Sequence, residues 1–342
     1  MADLILFLPE IVCLVMALFL FFAPVCAWRY NTAWGIAVIA GIVAVGASLY
    51  TWPLSGEPFF PGIYRVDFFS QLVKTALAVG YLLVVVISKD PRTLRAATWH
   101  EFPLFLLLST VGMMMMVSAT ELLTLYISME MSAYPLYIVV ALHRNRAIGS
   151  ESSTKYMIQG MAASAISLYG MSFLFGLLGS TYFSALGAQL GIVALQPVFW
   201  LAMVLILSGF LFKLAVFPFH FWAPDTYQAA PHEVVTFIAT ASKVAAVALL
   251  CRIVALVIPS SESLLHARPV LMWLSIAAMT LGNLAALRQK DLKRLLGYSA
   301  VAHGGYILVG IQALSGLGLT AALFTPWGMP RCRSSVFWWC AK

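Results

Sequence analysis

Three ionisable side chains interrupt long apolar segments of the sequence: Glu130, Lys213 and Lys243. At about 1.5 Å per helical residue, Glu130 lies about 13 Å beyond Glu121, where its segment begins. Lys243 lies about 16 Å beyond His232 by the same rise. A charge at the centre of a bilayer costs roughly 2.5–3.5 kcal/mol or more, and such residues typically mark ion or proton pathways. The residue types therefore indicate proton transfer among groups whose proton affinities depend on one another.

A static ion pair is the alternative interpretation of these charges. Glu130 and one lysine, held out of water, would join two helices without moving a proton. Because one carboxylate neutralises one ammonium, such a pair leaves the second lysine unexplained. The two amines and one acid favour a relay.

The stretch after Lys213 is rich in residues that interrupt helices. Residues 213–233 contain three prolines, with His220 and Asp225 between them. From Val198 to Ala230 the chain runs 33 residues, which is too long for one straight span of about 20 residues. A helix broken within the membrane is tolerated where it lines a cavity or a solute path. We predict such a broken helix, with His220 as a weaker candidate in the relay; a surface loop between two helices is the alternative.

Composition places these residues in a membrane. Of 342 residues, 62% are hydrophobic and 10% charged, and the mean hydropathy is +0.93. Soluble domains carry roughly 25% charged residues. Apolar runs long enough to span a bilayer predict an all-α, polytopic bundle of about ten transmembrane helices, at 4–24, 34–52, 67–88, 102–119, 121–142, 156–179, 198–218, 232–257, 270–287 and 295–315.

Loop charges predict the orientation of this bundle. Short cytoplasmic loops are enriched in Lys and Arg, and one set of loops carries eleven such residues against two, Arg65 and Arg268, in the other. The N-terminus is therefore predicted on the outer face. The eleven are Arg29, Lys89, Arg92, Arg95, Arg144, Arg146, Lys155, Arg288, Lys290, Lys293 and Arg294.

The remaining composition excludes several classes of protein. We attribute the net charge of +7 to the loops between the helices. Because no basic patch is interleaved with stacking aromatic residues, we expect no nucleic-acid partner. Five cysteines form no CxxC pair or His/Cys cluster, so neither a disulfide framework nor a metal site is expected. The sequence contains neither a nucleophile elbow nor a phosphate-binding loop, so we do not expect an ordinary enzyme active site.

Four motifs resemble one family of membrane proteins. These are ELLTLYISMEMSAYPLYIVVAL at 121–142, HFWAPDTYQAAP at 220–231, ATASKVAA at 239–246 and LGNLAALRQKDLKRLLGYSAVAHGGY at 281–306. In order and spacing they resemble the antiporter-like membrane subunits of respiratory complex I, above all the subunit N family of bacterial proton-translocating NADH–quinone oxidoreductase. The resemblance runs from about residue 5 to about residue 323.

The resemblance implies a particular fold. Three N-terminal helices (1–100) precede a complete antiporter-like repeat of five helices with a broken helix (101–258). A second, inverted repeat is incomplete (259–324), and residues 325–342 form an aberrant tail. In this tail, TPWGMPRCRSSVFWWCAK, the family pattern fails, and we hypothesise a shifted reading frame or a truncated product.

The resemblance also implies a function. By position, Glu130 matches the glutamate of the family's fifth helix, Lys213 the lysine before the break in the seventh and Lys243 the lysine of the eighth. The chain would contribute to proton translocation in the bacterial inner membrane, coupled to electron transfer from NADH to quinone. His303 would extend the polar line, although a packed histidine is an equal interpretation.

No cofactor is expected in this chain. NADH, FMN, iron–sulfur clusters and quinone are implied for other subunits, and the expected partners are the other membrane subunits of complex I, the lipid bilayer and protons. Three alternatives stay open at this point: an Mrp-like cation/proton antiporter, a membrane-bound hydrogenase subunit and a non-conducting truncated remnant.

Overall fold

The computed structural model describes residues 2–24, 26, 28, 30–53, 62–89, 94, 98–143, 145–257 and 268–326. Over these ranges the chain is helical, with isolated bridges between single residues in place of strands. Four of the loop charges used to predict orientation, Arg29, Arg92, Arg95 and Arg144, lie outside the described residues, as does the tail from residue 327.

The first four helices match the first three predicted spans closely. A short first helix and the second helix share the first span, because the chain turns at Phe7 and Pro9 lies at the start of the second helix. The fourth helix begins with a capping box, in which Asp67 accepts from the Ser70 amide at 2.8 Å. The helices are α1 Ala2–Leu6, α2 Leu8–Phe22, α3 Tyr30–Tyr50 and α4 Phe68–Ile87.

The next group differs from prediction in two places. The helix predicted at 156–179 begins ten residues earlier, since the polar turns after Arg146 continue it beyond the apolar segment. An apolar helix of 11 residues follows it, which is too short to cross a bilayer and was therefore not predicted. The helices are α5 Glu101–Ser118, α6 Leu122–Ala141, α7 Arg146–Leu178 and α8 Phe183–Val193.

The structure contains the predicted broken helix. One helix ends at Leu214, where Ala215 adopts a left-handed conformation with φ of 58°, and a short helix resumes at Trp222. After Pro231 the chain forms one long helical segment that includes a π-helical turn, Ile238–Ser242. The helices are α9 Pro197–Leu214, α10 Trp222–Ala229, α11 His232–Phe237 and α12 Lys243–Val257.

Three further helices complete the described chain: α13 Arg268–Leu287, α14 Leu292–Gln312 and α15 Gly316–Pro326. Asp291 starts α14 by accepting from the Arg294 amide at 3.0 Å. The spans predicted at 270–287 and 295–315 thus agree with α13 and α14 within a few residues.

The bundle is organised around α11 and α12. Residues 233–251 are all buried, whereas the other long helices, apart from α5, carry exposed apolar side chains. Eight helices within the described ranges are long and apolar enough to cross a membrane. The fold class predicted from sequence, an all-α polytopic bundle, is confirmed.

One close helix contact supports the site. At Gly112, α5 approaches the backbone of α6 so closely that a Cβ atom would lie 2.8 Å from the Ser132 Cα. Any side chain would push α5 away from the turn of α6 that carries Glu130, so glycine is required at this position.

Candidate functional site

Glu130 and Lys213 line the same small cavity. It lies between α6, α7, α9 and the π-helical turn, and its volume of about 20 Å³ is enough for about one water molecule. One carboxylate, one amine and several hydroxyl groups supply the polar part of its lining, and aromatic rings form part of its walls. The lining includes Glu130, Tyr137, Tyr156, Ser164, Phe212, Lys213 and Ser242.

The acid and the amine share this cavity without forming an ion pair. No N···O distance of 4.0 Å or less joins Glu130 to Lys213. The Lys213 amine instead donates to Ser132 Oγ, which in turn donates to the Met129 carbonyl at 2.7 Å. Glu130 Oε2 is buried and has no hydrogen-bond partner among the described residues. Because a buried carboxylate oxygen ordinarily accepts a hydrogen bond, water in the cavity is its natural donor.

The break after α9 is fixed by a tryptophan. Lys213 is the second-last residue of α9, and the preceding carbonyl, that of Phe212, accepts from the Trp222 indole at 2.9 Å. The Trp222 ring stacks on Tyr156, with 4.5 Å between ring centroids. The Phe212 carbonyl also accepts from the Ala215 amide at 2.9 Å, so the indole supplies a second donor at the helix end. This contact holds Lys213 at the cavity.

Lys243 follows the π-helical turn and points to a different side of its helix from Ser242. Its neighbour Ser242 lines the cavity, whereas the Lys243 amine, 1% exposed, donates to the Ala300 carbonyl on α14 at 2.7 Å. Consecutive helical residues point about 100° apart, and π-helical turns occur frequently at functional sites. The two residues therefore connect the Glu130–Lys213 cavity to α14.

The two histidines occupy different places. His220 is buried in the break, 4.3 Å from the Phe221 ring, and its Nδ1 has no hydrogen-bond partner in the described part of the chain. It does not line the cavity. His303 lies on α14, three residues after Ala300, with its ring 5.5 Å from Tyr306. His303 therefore lies about one turn of α14 from the carbonyl that Lys243 contacts, and His220 lies outside the cavity lining.

The basic run at 288–294 has a contact that charge counting did not predict. Arg294 pairs with Asp225 of α10 at 3.1 Å, and Lys293 donates to the Ala230 carbonyl at 2.6 Å. These residues therefore hold the second half of the broken helix in addition to any role as loop charge.

No metal site is found in the ranges that the structure describes: no three His, Cys, Asp or Glu side chains are grouped closely enough to hold an ion. The ionisable and hydroxyl groups that line the cavity belong to Glu130, Lys213, the two tyrosines Tyr137 and Tyr156, and the two serines Ser164 and Ser242.

Sequence comparison identifies the family. Residues 119–339 match the family described as "NADH:quinone oxidoreductase/Mrp antiporter, TM", which is more than half of the chain. The chain belongs to this family. The resemblance to antiporter-like complex I subunits inferred from the four motifs is thereby confirmed.

Two relatives of the chain are similar to it over nearly its whole length, including the N-terminal helices. The chain is 40% identical over 319 residues to NADH-quinone oxidoreductase subunit N 2 of Syntrophobacter fumaroxidans, covering 93% of this chain and 67% of the relative. It is 42% identical over 327 residues to the protein of the same name in Opitutus terrae, covering 95% and 67%. The chain thus spans about two thirds of the length of these relatives.

Two solved structures share the fold of this chain. A chain of respiratory complex I from Thermus thermophilus, solved with bound aureothin, has a TM-score of 0.75 and 31% identity, with 94% of this chain and 69% of that chain covered. A chain of the Mrp complex from a Dietzia species has a TM-score of 0.83 at 21% identity, covering 98% and 64%. The second likeness concerns the fold alone.

The sequence argument was incomplete in one respect. It found three deep ionisable residues in this chain, but the structure also buries Glu10, Lys74 and Glu233. Glu10 Oε1 pairs with the Lys74 amine at 2.7 Å, and Arg252 pairs with Asp67 at 2.6 Å. Each of the three lies within a predicted span, 4–24, 67–88 or 232–257. A search of every span for single charges would have found them.

Proposed function

We propose that this chain is a membrane subunit of an NADH–quinone oxidoreductase that translocates protons as electrons pass from NADH to quinone. Family membership and the named relatives at 40% and 42% identity support the assignment. One observation carries it: Glu130, Lys213 and Ser242 line a single water-sized cavity, next to Lys243. Groups so placed can pass a proton, whereas a tether requires only direct contact.

The first step of the proposed relay takes place at the cavity. Glu130 and Lys213 are close enough to share a water molecule and too far apart for an ion pair. When the charge on Glu130 is exposed to Lys213, the ammonium form of the amine is favoured; when that charge is neutralised, burial favours the neutral amine and the proton leaves. The proton passes to the cavity water, and the amine keeps its hydrogen bond to Ser132.

The second step carries the change to α14. Ser242 faces the cavity, and Lys243 contacts the Ala300 carbonyl. When a proton leaves Lys213, the loss of its positive charge changes the electric field at Lys243, because Lys243 is next to Ser242 in the helix. His303, three residues beyond Ala300, continues the line.

The energies involved are compatible with this scheme. Moving one charge against 100 mV requires about 2.3 kcal/mol. A hundredfold change in proton affinity corresponds to about 2.7 kcal/mol, which a buried acid and amine readily impose on each other.

In this proposal the redox chemistry belongs elsewhere. NADH, FMN, iron–sulfur clusters and quinone reside on other subunits, and this chain supplies acid and base groups alone. Its partners are the other membrane subunits, the lipid bilayer and protons.

The proposal includes location and domain organisation. The chain lies in the bacterial inner membrane with its N-terminus on the outer face, and its parts are the N-terminal helices (1–100), the first repeat (101–258), the partial second repeat (259–324) and the tail (325–342). In a background free of exposed cysteines, an impermeant thiol reagent added outside intact cells should label Arg268→Cys and leave Lys290→Cys unlabelled. The reverse pattern contradicts this orientation.

The function is tested in membrane vesicles that contain the assembled complex. Lys213→Met and Glu130→Gln should lower NADH-driven proton translocation and the quinone reduction coupled to it, because each removes one titratable group from the cavity. Lys155→Gln removes an exposed lysine on α7 and should leave both activities unchanged. Normal translocation in all three variants refutes the proton relay. Transport that requires a monovalent metal cation would instead favour an Mrp-like antiporter.

A further inference from the structure

A second set of buried polar side chains lies near the N-terminal ends of α2 and α4. Glu10 Oε1 accepts a hydrogen bond from the Tyr64 hydroxyl at 2.6 Å and forms an ion pair with the Lys74 amine at 2.7 Å. Glu10 is 2% exposed and Lys74 is fully buried. Together with the buried side chains of Gln71 and Ser118 we call these residues the N-terminal polar cluster.

The cluster has more hydrogen-bonding capacity than its own members use. Gln71 is fully buried, yet its Oε1 and Nε2 atoms both have no hydrogen-bond partner in the described chain. The same holds for Glu10 Oε2 and Ser118 Oγ. Gln71 lies three residues before Lys74, on the same face of α4. Each such buried group costs about 1–3 kcal/mol when it is left unbonded, and buried water commonly supplies the missing bonds. Water bound at these atoms would supply the missing hydrogen bonds.

The charges around the cluster keep its acid and amine close to balance. The titratable or charged groups that face Glu10 are Cys13 of its own helix, Tyr64, Lys74 of α4 and, beyond Tyr64, Arg252 of α12. Arg252 is itself bound to Asp67 at 2.6 Å. The Phe7 ring stacks on Tyr64, with 4.4 Å between centroids, and covers the cluster. With Glu10 ionised, the two acids balance Lys74 and Arg252, so a proton held at Glu10 gives this group of side chains one net positive charge.

The position of the cluster separates it from the Glu130–Lys213 cavity. Lys74 lies six residues after Phe68 at the start of α4, which is about 9 Å of helix, and Glu10 lies in the first turn of α2. The two sites share no residue. The cluster therefore lies close to the end of the bundle at which α2 and α4 begin, and it is a different site from the Glu130–Lys213 cavity.

We propose that the N-terminal polar cluster is a second, water-containing proton-binding site, which takes up and releases one proton at Glu10 while Lys74 stays an ammonium ion. On uptake, a hydronium ion gives its proton to Glu10 Oε2 and becomes water bound to Gln71 and Ser118; on release the same O–H bond breaks and the proton returns to that water. This inference rests on the proposed function, since such a site serves a chain that moves protons.

A tether between α2 and α4 is the competing explanation, and a double replacement separates the two. Glu10→Gln with Lys74→Met removes both charges and leaves neither partner buried alone. In vesicles with the assembled complex, we expect the double variant to assemble in normal amount and to lose much of its proton translocation per electron. Normal translocation in the double variant, with Glu130→Gln impaired, overturns this inference and leaves the proposed function intact. Normal translocation in both overturns the proposed function.

Infrared spectroscopy tests the site even where a variant lowers assembly. The purified complex, titrated in H₂O and in D₂O, should show a protonated-carboxyl band that is lost in Glu10→Gln and shifted in Gln71→Leu, which removes the water-binding amide and no charge. Glu151→Gln, which removes an exposed acid on α7, should leave the band unchanged. A band that is the same in wild type, Glu10→Gln and Gln71→Leu overturns the proposal.

Discussion

The Lys243 amine donates a 2.7 Å hydrogen bond to the backbone carbonyl of Ala300, 57 residues further along the chain. This bond joins the buried central helix to α14, while the preceding residue, Ser242, lines the cavity of Glu130 and Lys213. A single peptide unit therefore connects the two halves of the proposed relay. The π-helical turn just before Lys243 sets the directions of both side chains.

We predict that Lys243→Met stops proton translocation without preventing assembly. The replacement keeps the length of the side chain but removes its charge and leaves the Ala300 carbonyl without this donor, at a cost of about 1–3 kcal/mol. Lys293→Met is the matched control, because Lys293 donates to another backbone carbonyl, that of Ala230, at 2.6 Å. Proton translocation in vesicles is the measurement. Equal effects of the two replacements would remove Lys243 from the relay.

We expect Trp222→Phe to impair translocation more than Trp200→Phe. Each replacement deletes one indole hydrogen bond of 2.9 Å to a carbonyl, that of Phe212 or of Ala194, and each should cost about 1 kcal/mol in stability. The Trp222 bond alone lies beside Lys213. Similar melting temperatures with unequal proton translocation would support this role of Trp222, whereas similar translocation in both variants would count against it.

Replacing Gly160 by alanine should close the cavity. A Cβ atom at this position would overlap the Tyr137 hydroxyl and lie 2.7 Å from its Cζ atom, and overpacking of this kind typically costs about 1–3 kcal/mol. On the same helix, Gly176 has nothing within 4 Å of its added Cβ, so Gly176→Ala should be neutral or slightly stabilising. Thermal unfolding in detergent measures the difference. Two variants of equal stability would show that Tyr137 moves aside without strain.

The Asp67–Arg252 pair should make stability depend on acid pH. Burial raises the pKa of Asp67, but the Arg252 guanidinium and the bonds from Ser70 outweigh it and hold the pKa below its usual value. A lowered pKa contributes stability that is complete above the unfolded value of about 3.9 and is lost as the pH falls through the folded pKa.

Asp67→Asn tests this contribution because asparagine still caps α4. The variant should be less stable at pH 7, by about 1.5–3 kcal/mol for the lost charged hydrogen bond, and its stability should fall less steeply below about pH 4 than that of wild type. Melting temperatures across this range supply the measurement. Parallel curves for the two proteins would show that Asp67 does not carry the acid dependence.

Much of the fold was predictable because each helix is a local property of the sequence. The runs at 67–88, 121–142 and 232–257 agree with the observed helices within one or two residues at most ends. Two features were not predictable from apolar length: α7 begins in the polar turns after Arg146, and α8 is too short to be recognised as a span. Tertiary packing supports both.

The sequence by itself determined which residues are costly to place in a bilayer, Glu130, Lys213 and Lys243 among them, because a backbone in lipid must satisfy its hydrogen bonds within each helix. Only the tertiary structure decided which of these residues meet. Glu10 and Lys74, 64 residues apart, form a pair, whereas Glu130 and Lys213 share a cavity without contact. Such meetings depend on the depth and rotation of whole helices, and both are set by packing between helices distant in the sequence.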